Sequence, residues 1–472
     1  MKQCCLKYLC LALLLMFTIV VNAADFQSGG ICYNILSEEE KSVEVTYIGD
    51  GYSSFYGEYK GVLTIPDSVV YNGATYYVTG IGEGAFWGCS DLTGVIIPNC
   101  VTYIGEGAFG SCTGLASIVI PDRVTTIAPE AFNDCSGLVS IIIPGSVKEI
   151  GNSAFGKCSA LLSVEIPDSV TIIGSSVFES CSALSNVKIG NSVTGIGSSA
   201  FSNCSGLVSI EIPHCVTSIG DNAFSYCSKL ANVTIGNSVT SIGKSAFYNC
   251  TALTTVVIPS SVTSVGVFAF SNCSSLADVV IGDGVASIGR DAFRNCSSLT
   301  SIEIPSNVTS IGTGAFYDCP ALATIVVAEG NRNYDSRDNC NAIVETASNT
   351  LLTGCQNSVI PAGIKSIGGS AFSNCSGLKS VVIPGSVTTI GNYAFRNCTA
   401  LTSVEIPDSV KIIGDYAFYN CSGLTSARIG NSVTSIGHYA FYNCSALPGI
   451  EIPVSVMSVG KNAFQGVPGY GK

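Results

Sequence analysis

The residues with the most chemistry to offer in this chain are its 23 cysteines and its two histidines. A nucleophile, a metal site or a disulfide framework would have to be built from them. His214 and His438 belong to well-separated copies of a sequence repeat, so they cannot share a metal ion or an acid–base site. His214 and Cys215 are adjacent, but neighbouring side chains of an extended segment point to opposite faces. Asp335, Asp338, Asn339 and Asn341 make an acid- and amide-rich loop without the alternating carboxylates of a calcium loop, and they read as a solvated surface. No catalytic residue, bound metal or cofactor is expected.

The cysteines fall into groups. Cys4, Cys5 and Cys10 lie in an apolar amino-terminal run, and fifteen others recur at one repeat position, from Cys89, Cys112 and Cys135 through Cys444. Each of the fifteen follows an Ala-Phe pair at fixed spacing, which predicts a small buried hydrophobe with a free thiol. Stacked about 4.8 Å apart they would be close enough to bridge, but parallel Cβ vectors do not converge as a disulfide needs. Cys32, Cys100 and Cys215 have no obvious partner. Cys340 and Cys355 are equidistant from a turn at Ala347-Ser348, so a hairpin would oppose them as a candidate disulfide; the alternative is two more core thiols. Asn-Cys-Ser triplets such as Asn203-Cys204-Ser205 match a glycosylation sequon, but they arise from the repeat and are read as incidental.

The repeat is what must position all of these residues. Residues 299–321 read LTSIEIPSNVTSIGTGAFYDCPA and residues 401–423 read LTSVEIPDSVKIIGDYAFYNCSG, a 23-residue period. The fixed letters are L-x-x-I-x-I-P/G-x-x-V-x-x-I-G-x-x-A-F-x-x-C. Such a period signals a solenoid, in which one copy cannot bury its apolar side alone and stacked copies share a core. Within a copy, I-x-I is a short strand with both isoleucines inward, V-x-x-I-G is a second extended segment, and G-x-x-A-F-x-x-C is a helical or 3₁₀ turn. Pro or Gly followed by Asp/Asn-Ser turns the chain between the two strands.

The chain divides accordingly. Residues 1–23 carry Lys2 and Lys7, an apolar run and the small-residue site Val21-Asn22-Ala23, and they read as a secretory signal peptide. Residues 24–61 form an amino-terminal β cap and 62–472 the solenoid, with an irregular insertion at about 328–360. Cleavage after Ala23 takes the formal charge from −12 to −14. That balance argues against nucleic acid and anionic lipid as partners. No other run is long enough to enter a membrane, so a secreted or cell-surface location is expected.

The repeats resemble the BspA-like class of leucine-rich repeat surface proteins. Leu299-x-x-Ile302-x-Ile304 matches the leucine-rich strand signature, the A-F-x-x-C-x-x-L ending marks the class, and residues 340–361 resemble an irregular unit found in it. The resemblance implies a parallel-strand solenoid and a secreted or surface-displayed bacterial module for adhesion, binding an extracellular or cell-surface protein or glycan. It implies no catalytic residues. The alternative function is a self-associating structural surface protein.

Three surface features are then candidate sites. The residue between the strand isoleucines should form an outward ladder, in which Glu165–Lys188–Glu211 and Glu405–Arg428–Glu451 stack as charged triads. Ile96, Val119 and Ile142 on the same ladder form an apolar stripe, either a partner contact or ground for the cap to cover. Tyr393, Tyr416 and Tyr439 precede Ala-Phe in consecutive copies, and Tyr419 and Tyr442 follow Phe. Residues three apart on a turn share a face, so these five should make one exposed patch suited to protein or glycan.

Overall fold

The repeat folds into flat coils whose neighbours are joined through the backbone. The computed structural model describes residues 24–48 and 59–469; the expected signal peptide lies outside the described residues. Two compact units, up to Cys158 and from Ser159 onward, are each a β-solenoid of 23-residue coils.

Most coils of the solenoid carry two short strands, and each kind stacks on its like in parallel; the I-x-I segments at 381–383 and 450–452 form none. The V-x-x-I strands form the longer ladders. In the second unit seven of them, Ile172–Ile173 through Ser310–Ile311, make one sheet. From the second of these strands on, the glycine that follows donates its N–H to the preceding coil, as Gly220 does to Ile196 at 2.9 Å. A Cβ at Gly220 would lie 2.7 Å from the backbone of Gly197, so close approach demands glycine there.

The I-x-I strands instead pair off. Ser163–Glu165 joins Asn186–Lys188, Ser209–Ile212 joins Asn232–Ile235, Thr255–Ile258 joins Asp278–Ile281, and Ser301–Ile304 joins Thr324–Val327, with each pair a separate sheet. Between Ser163 and Val327 the breaks coincide with the residue after the second apolar position, although in the first unit Ser117–Val119 and Ser140–Ile142 pair with Pro144 in that place. Where it is Gly282 or Ala328, its N–H donates to Ile258 or Ile304 of the preceding coil at 2.9 Å. In the coils that follow each break it is Pro213, Pro259 or Pro305, which has no N–H to donate.

The G-x-x-A-F-x-x-C segment closes each coil. Its i to i+3 bonds are those expected of a tight turn: Ala108 N–H to Gly105 at 3.2 Å and Cys112 N–H to Phe109 at 3.1 Å. It does not become a continuous helix, because two residues per coil, such as Ser199 and Asn203, take left-handed backbone angles near φ 56° and 59°. Phe is the hub of this turn. Phe109 donates its N–H to Ala131 of the next coil at 2.7 Å, its ring stacks on Phe132 at 5.2 Å, and its carbonyl accepts the Cys135 thiol at 3.0 Å.

The amino-terminal strands Phe26–Ser28, Ile31–Ser37 and Ser42–Thr46 form an antiparallel sheet within the segment read as a β cap. They join the V-x-x-I ladder, because Ser42–Thr46 runs parallel to Ala74–Ile81, which in turn pairs with Tyr103–Ile104. The irregular insertion is itself an abbreviated coil. Its hairpin, Ile343–Glu345 with Thr350–Thr353, adds to Ser366–Ile367 of the next coil. Gly354 takes the hub position: its N–H reaches Ala371 at 2.8 Å and its carbonyl accepts the Cys375 thiol at 3.8 Å. A side chain at Gly354 would run into the Phe372 ring.

Two outcomes test this construction. Gly190→Ala would place a Cβ 2.7 Å from the Pro167 carbonyl, while Gly385→Ala meets nothing within 4 Å. In urea unfolding the first should lose about 1–3 kcal/mol and the second should change stability by less than about 0.5 kcal/mol; equal effects would refute the close-approach argument. Burial pushes the Cys227 and Cys273 thiols up to about 12, whereas Cys100 and Cys215 are only half-buried. A thiol reagent at pH 8 should therefore label those two in the native protein and the remaining described cysteines only after denaturation without reductant. A denatured chain short of reactive thiols would instead reveal disulfides.

Candidate functional site

The turn flank of the second unit is built from the two left-handed positions of each coil. The position before Cys is usually asparagine, which tolerates that geometry better than most residues. The stacked asparagines hydrogen-bond from coil to coil: Asn295 to Asn272 at 2.9 Å, Asn420 to Asn397 at 3.0 Å and Asn443 to Asn420 at 2.6 Å, each Nδ2 to Oδ1. Asn203 of the sequon quoted above donates to Ser180 at 3.3 Å. Repeat geometry thus accounts for these triplets.

The position before Ala-Phe is also left-handed, and here the tyrosines are unusual. Tyr393, Tyr416 and Tyr439 have φ of 60°, 57° and 56°, where other coils carry Ser199, Asn222, Ser245 or Gly314 and a single coil carries an isolated aromatic, Phe268. Their rings stack at 4.8 and 4.9 Å with planes within 10°. Tyr419 and Tyr442 stack beside them at 5.0 Å, and Tyr416 meets Tyr419 and Tyr439 meets Tyr442 at 5.5 Å. The structure brings all five together as one half-exposed, two-column patch.

The patch continues into residues the sequence reading missed. Because the insertion coil has no A-F-x-x-C turn, the flank of the coil at 314–319 meets that at 370–375 directly. Tyr317 donates its hydroxyl to the Gly369 carbonyl at 2.8 Å, and Asn374 donates to Asp318. A cavity of about 270 Å³ opens at this seam, lined by Arg290, Arg294, Tyr317, Ser373, Tyr393 and Arg396 among others. Arg294 lies 3.4 Å from Asp318, Arg290 lies 3.6 Å from Asp291, and Arg396 sits over the Tyr419 ring at 5.9 Å. Burial raises the Asp291 carboxyl above its ordinary range, and Arg294 and Arg290 pull against that rise.

On the I-x-I face, Ile96, Val119 and Ile142 are 56%, 74% and 76% exposed. Among the described residues the cap does not cover them, since its strands extend the other ladder. Val119 and Ile142 are strand partners, as are Thr64 and Ile96. The charged triads form only in part. Lys188 reaches Glu165 at 2.5 Å and Arg428 reaches Glu405 at 2.9 Å, but Arg428 turns its second nitrogen to Asp408 at 3.6 Å. Glu211 and Glu451 lie on coils whose I-x-I segments do not pair with those of Lys188 and Arg428, although their V-x-x-I strands do.

The remaining candidates are structural. Cys340 and Cys355 are separate buried thiols: the Cys340 sulfur lies 3.7 Å from the Ala342 carbonyl, and Asn341 Nδ2 donates to the Cys355 sulfur at 3.2 Å. The expected hairpin is present, but a register shift between Ile343 and Val344 makes their equal spacing unequal in space. The acidic loop is tied down rather than merely solvated, with Asp335 paired to Arg337 at 2.6 Å and Asn341 bonded to Ala323 at 2.8 Å. His438 Nδ1 accepts the Lys461 N–H at 2.8 Å, and His214 is exposed on another coil. Among the described residues no cluster of His, Cys, Asp or Glu could hold a metal ion, and no helix is long and apolar enough to cross a membrane.

No curated protein matches the chain. Among solved structures, a leucine-rich repeat protein from Bacteroides ovatus is 29% identical with a TM-score of 0.59, covering 94% of this chain and 92% of that one. A leucine-rich cell surface protein from Faecalibacterium prausnitzii is 28% identical, covers 90% and 94%, and has a TM-score of 0.36. The pneumococcal vaccine antigen PcpA is 18% identical, covers 94% and 79%, and has a TM-score of 0.29. The model of the BspA type leucine-rich repeat region matches residues 79–208, 196–323 and 349–469. These spans take in the coils, the hub phenylalanines and the tyrosine columns, and the chain belongs to the BspA type leucine-rich repeat family.

Proposed function

We propose that the chain is a non-catalytic, extracellular binding protein that holds a protein or glycan partner on the tyrosine patch of its second unit. The observation that carries this is that Tyr393, Tyr416 and Tyr439, one in each of three consecutive coils, are held in left-handed backbone. That geometry costs a residue with a Cβ roughly 1–2 kcal/mol. Stacking of one aromatic pair returns roughly 0.5–1.5 kcal/mol. The two nearly cancel, so the fold gains little over Asn, which enters this region readily and is found there in other coils. A bulky side chain held in a strained position without structural profit points to use at the surface. Tyrosine also brings rigid contact area and a hydroxyl at low entropic cost, which suits either partner class. The exposed Ile96, Val119 and Ile142 stripe is a second proposed contact in the first unit.

The test replaces Tyr393, Tyr416 and Tyr439 with Asn. The triple variant should keep the parent's circular dichroism and melt within a few degrees of it. Its capture on extracellular matrix proteins and glycans that retain the parent should fall about tenfold or more. Unimpaired capture on all of them would sink the assignment of this patch.

A further inference from the structure

The seam beside the tyrosine columns has the makings of a pocket for a specific chemical group. Reading the position after Phe down the second unit, the side chains run Arg294, Tyr317, Ser373, Arg396, Tyr419. Ser373 is thus a small residue between large ones, and its coil forms the floor of a notch walled by its neighbours. The position before Ala-Phe repeats the pattern, with Ser370 next to Tyr393. One face of the Tyr393 ring is stacked on Tyr416 at 4.8 Å. The other looks along the stack toward Ser370, which is too small to cover it, and Tyr393 remains 39% exposed. The notch therefore combines an exposed aromatic face, the Ser373 hydroxyl and guanidinium groups, with Asp291 and Asp318 also in its lining.

Its charge sets it apart from the rest of the chain. The sequence has a net charge of −12, yet three of its seven arginines, Arg290, Arg294 and Arg396, line this one cavity. Arg290 and Arg294 are balanced by Asp291 and Asp318. Among the described residues, no carboxylate lies within ion-pair distance of Arg396, which rests on the Tyr419 ring. A half-exposed guanidinium near an aromatic ring and without a carboxylate partner has donors to offer a carboxylate or sulfate.

We propose that the notch binds an acidic sugar, with the pyranose ring lying on Tyr393 and its carboxylate or sulfate on Arg396. Its C–H face is the part of a pyranose that packs on an aromatic ring, its hydroxyls match Ser373, and its acid group matches Arg396; the Ser370 hydroxyl is already bonded to Tyr317. An acidic peptide would use the arginine but would have no ring for the open tyrosine face. The inference rests on the reading of the tyrosine patch as a binding surface, and it narrows the partner to anionic glycans.

Titration calorimetry of the purified protein with trigalacturonic acid, a heparin tetrasaccharide and maltotriose tests it. At least one acidic sugar should bind and maltotriose should not; the first two arms tell carboxylate from sulfate. Arg396→Gln, at a half-exposed position, should weaken that binding about 10- to 100-fold. Ser373→Phe, checked by its melting curve, should abolish it by filling the floor. No binding of either acidic sugar, equal binding of maltotriose, or an unchanged affinity in Arg396→Gln would overturn the proposal. The Tyr416→Asn, Tyr439→Asn double variant separates the two readings. If it loses capture of other partners while Arg396→Gln leaves sugar binding unchanged, the patch stands and the acidic-sugar site falls. If only the Arg396 dependence of sugar binding is seen, the site stands without the wider patch.

Discussion

Three interactions made by one phenylalanine hold each coil to the next. The ring stacks on its counterpart at 5.0–5.5 Å, the N–H donates to the alanine carbonyl of the following coil, and the carbonyl accepts the following cysteine's thiol. All three require the neighbour to be an unrotated copy displaced by one strand spacing. A buried carbonyl left without a donor would be costly, so the cysteine serves as more than a small hydrophobe. Reading it as apolar filler accounts for its burial and misses its hydrogen bond. At the insertion the same constraint persists without the ring: Gly354 supplies the N–H and carbonyl while Phe372 fills the vacated space.

Because the coils are held by translation, any residue type repeated at one position becomes a ladder on the surface. The asparagine ladder, the tyrosine columns and the paired Glu–Lys and Glu–Arg contacts are all consequences of that register. The left-handed positions filter what can be placed there. Asparagine passes at little cost, tyrosine at some cost, and the contrast between them is what makes the tyrosine columns informative. Proline filters in another way. Between Ser163 and Val327 it occupies alternate coils in step with the pairing of the I-x-I face, and Glu211 and Glu451 stay outside the ionic contacts of their neighbours.

The period, the inward apolar positions, the two strands of each coil and the free thiols of the ladder were legible in the sequence, because a 23-residue repeat admits few ways to bury L-x-x-I-x-I and A-F-x-x-C together. The five tyrosines were legible too, since consecutive copies place them one period apart. The structure alone decided matters that depend on contacts between non-equivalent positions. The bulge at Ile343 and Val344 kept Cys340 from Cys355. The cap chose to extend one ladder rather than cover the other. Tyr317 and Ser373 became neighbours across a spacing of 56 residues, which no periodic reading aligns, and the arginine-lined notch exists only because of that seam. A repeat determines what stacks on what as long as translation holds; where an insertion breaks the translation, only the folded chain shows which side chains meet.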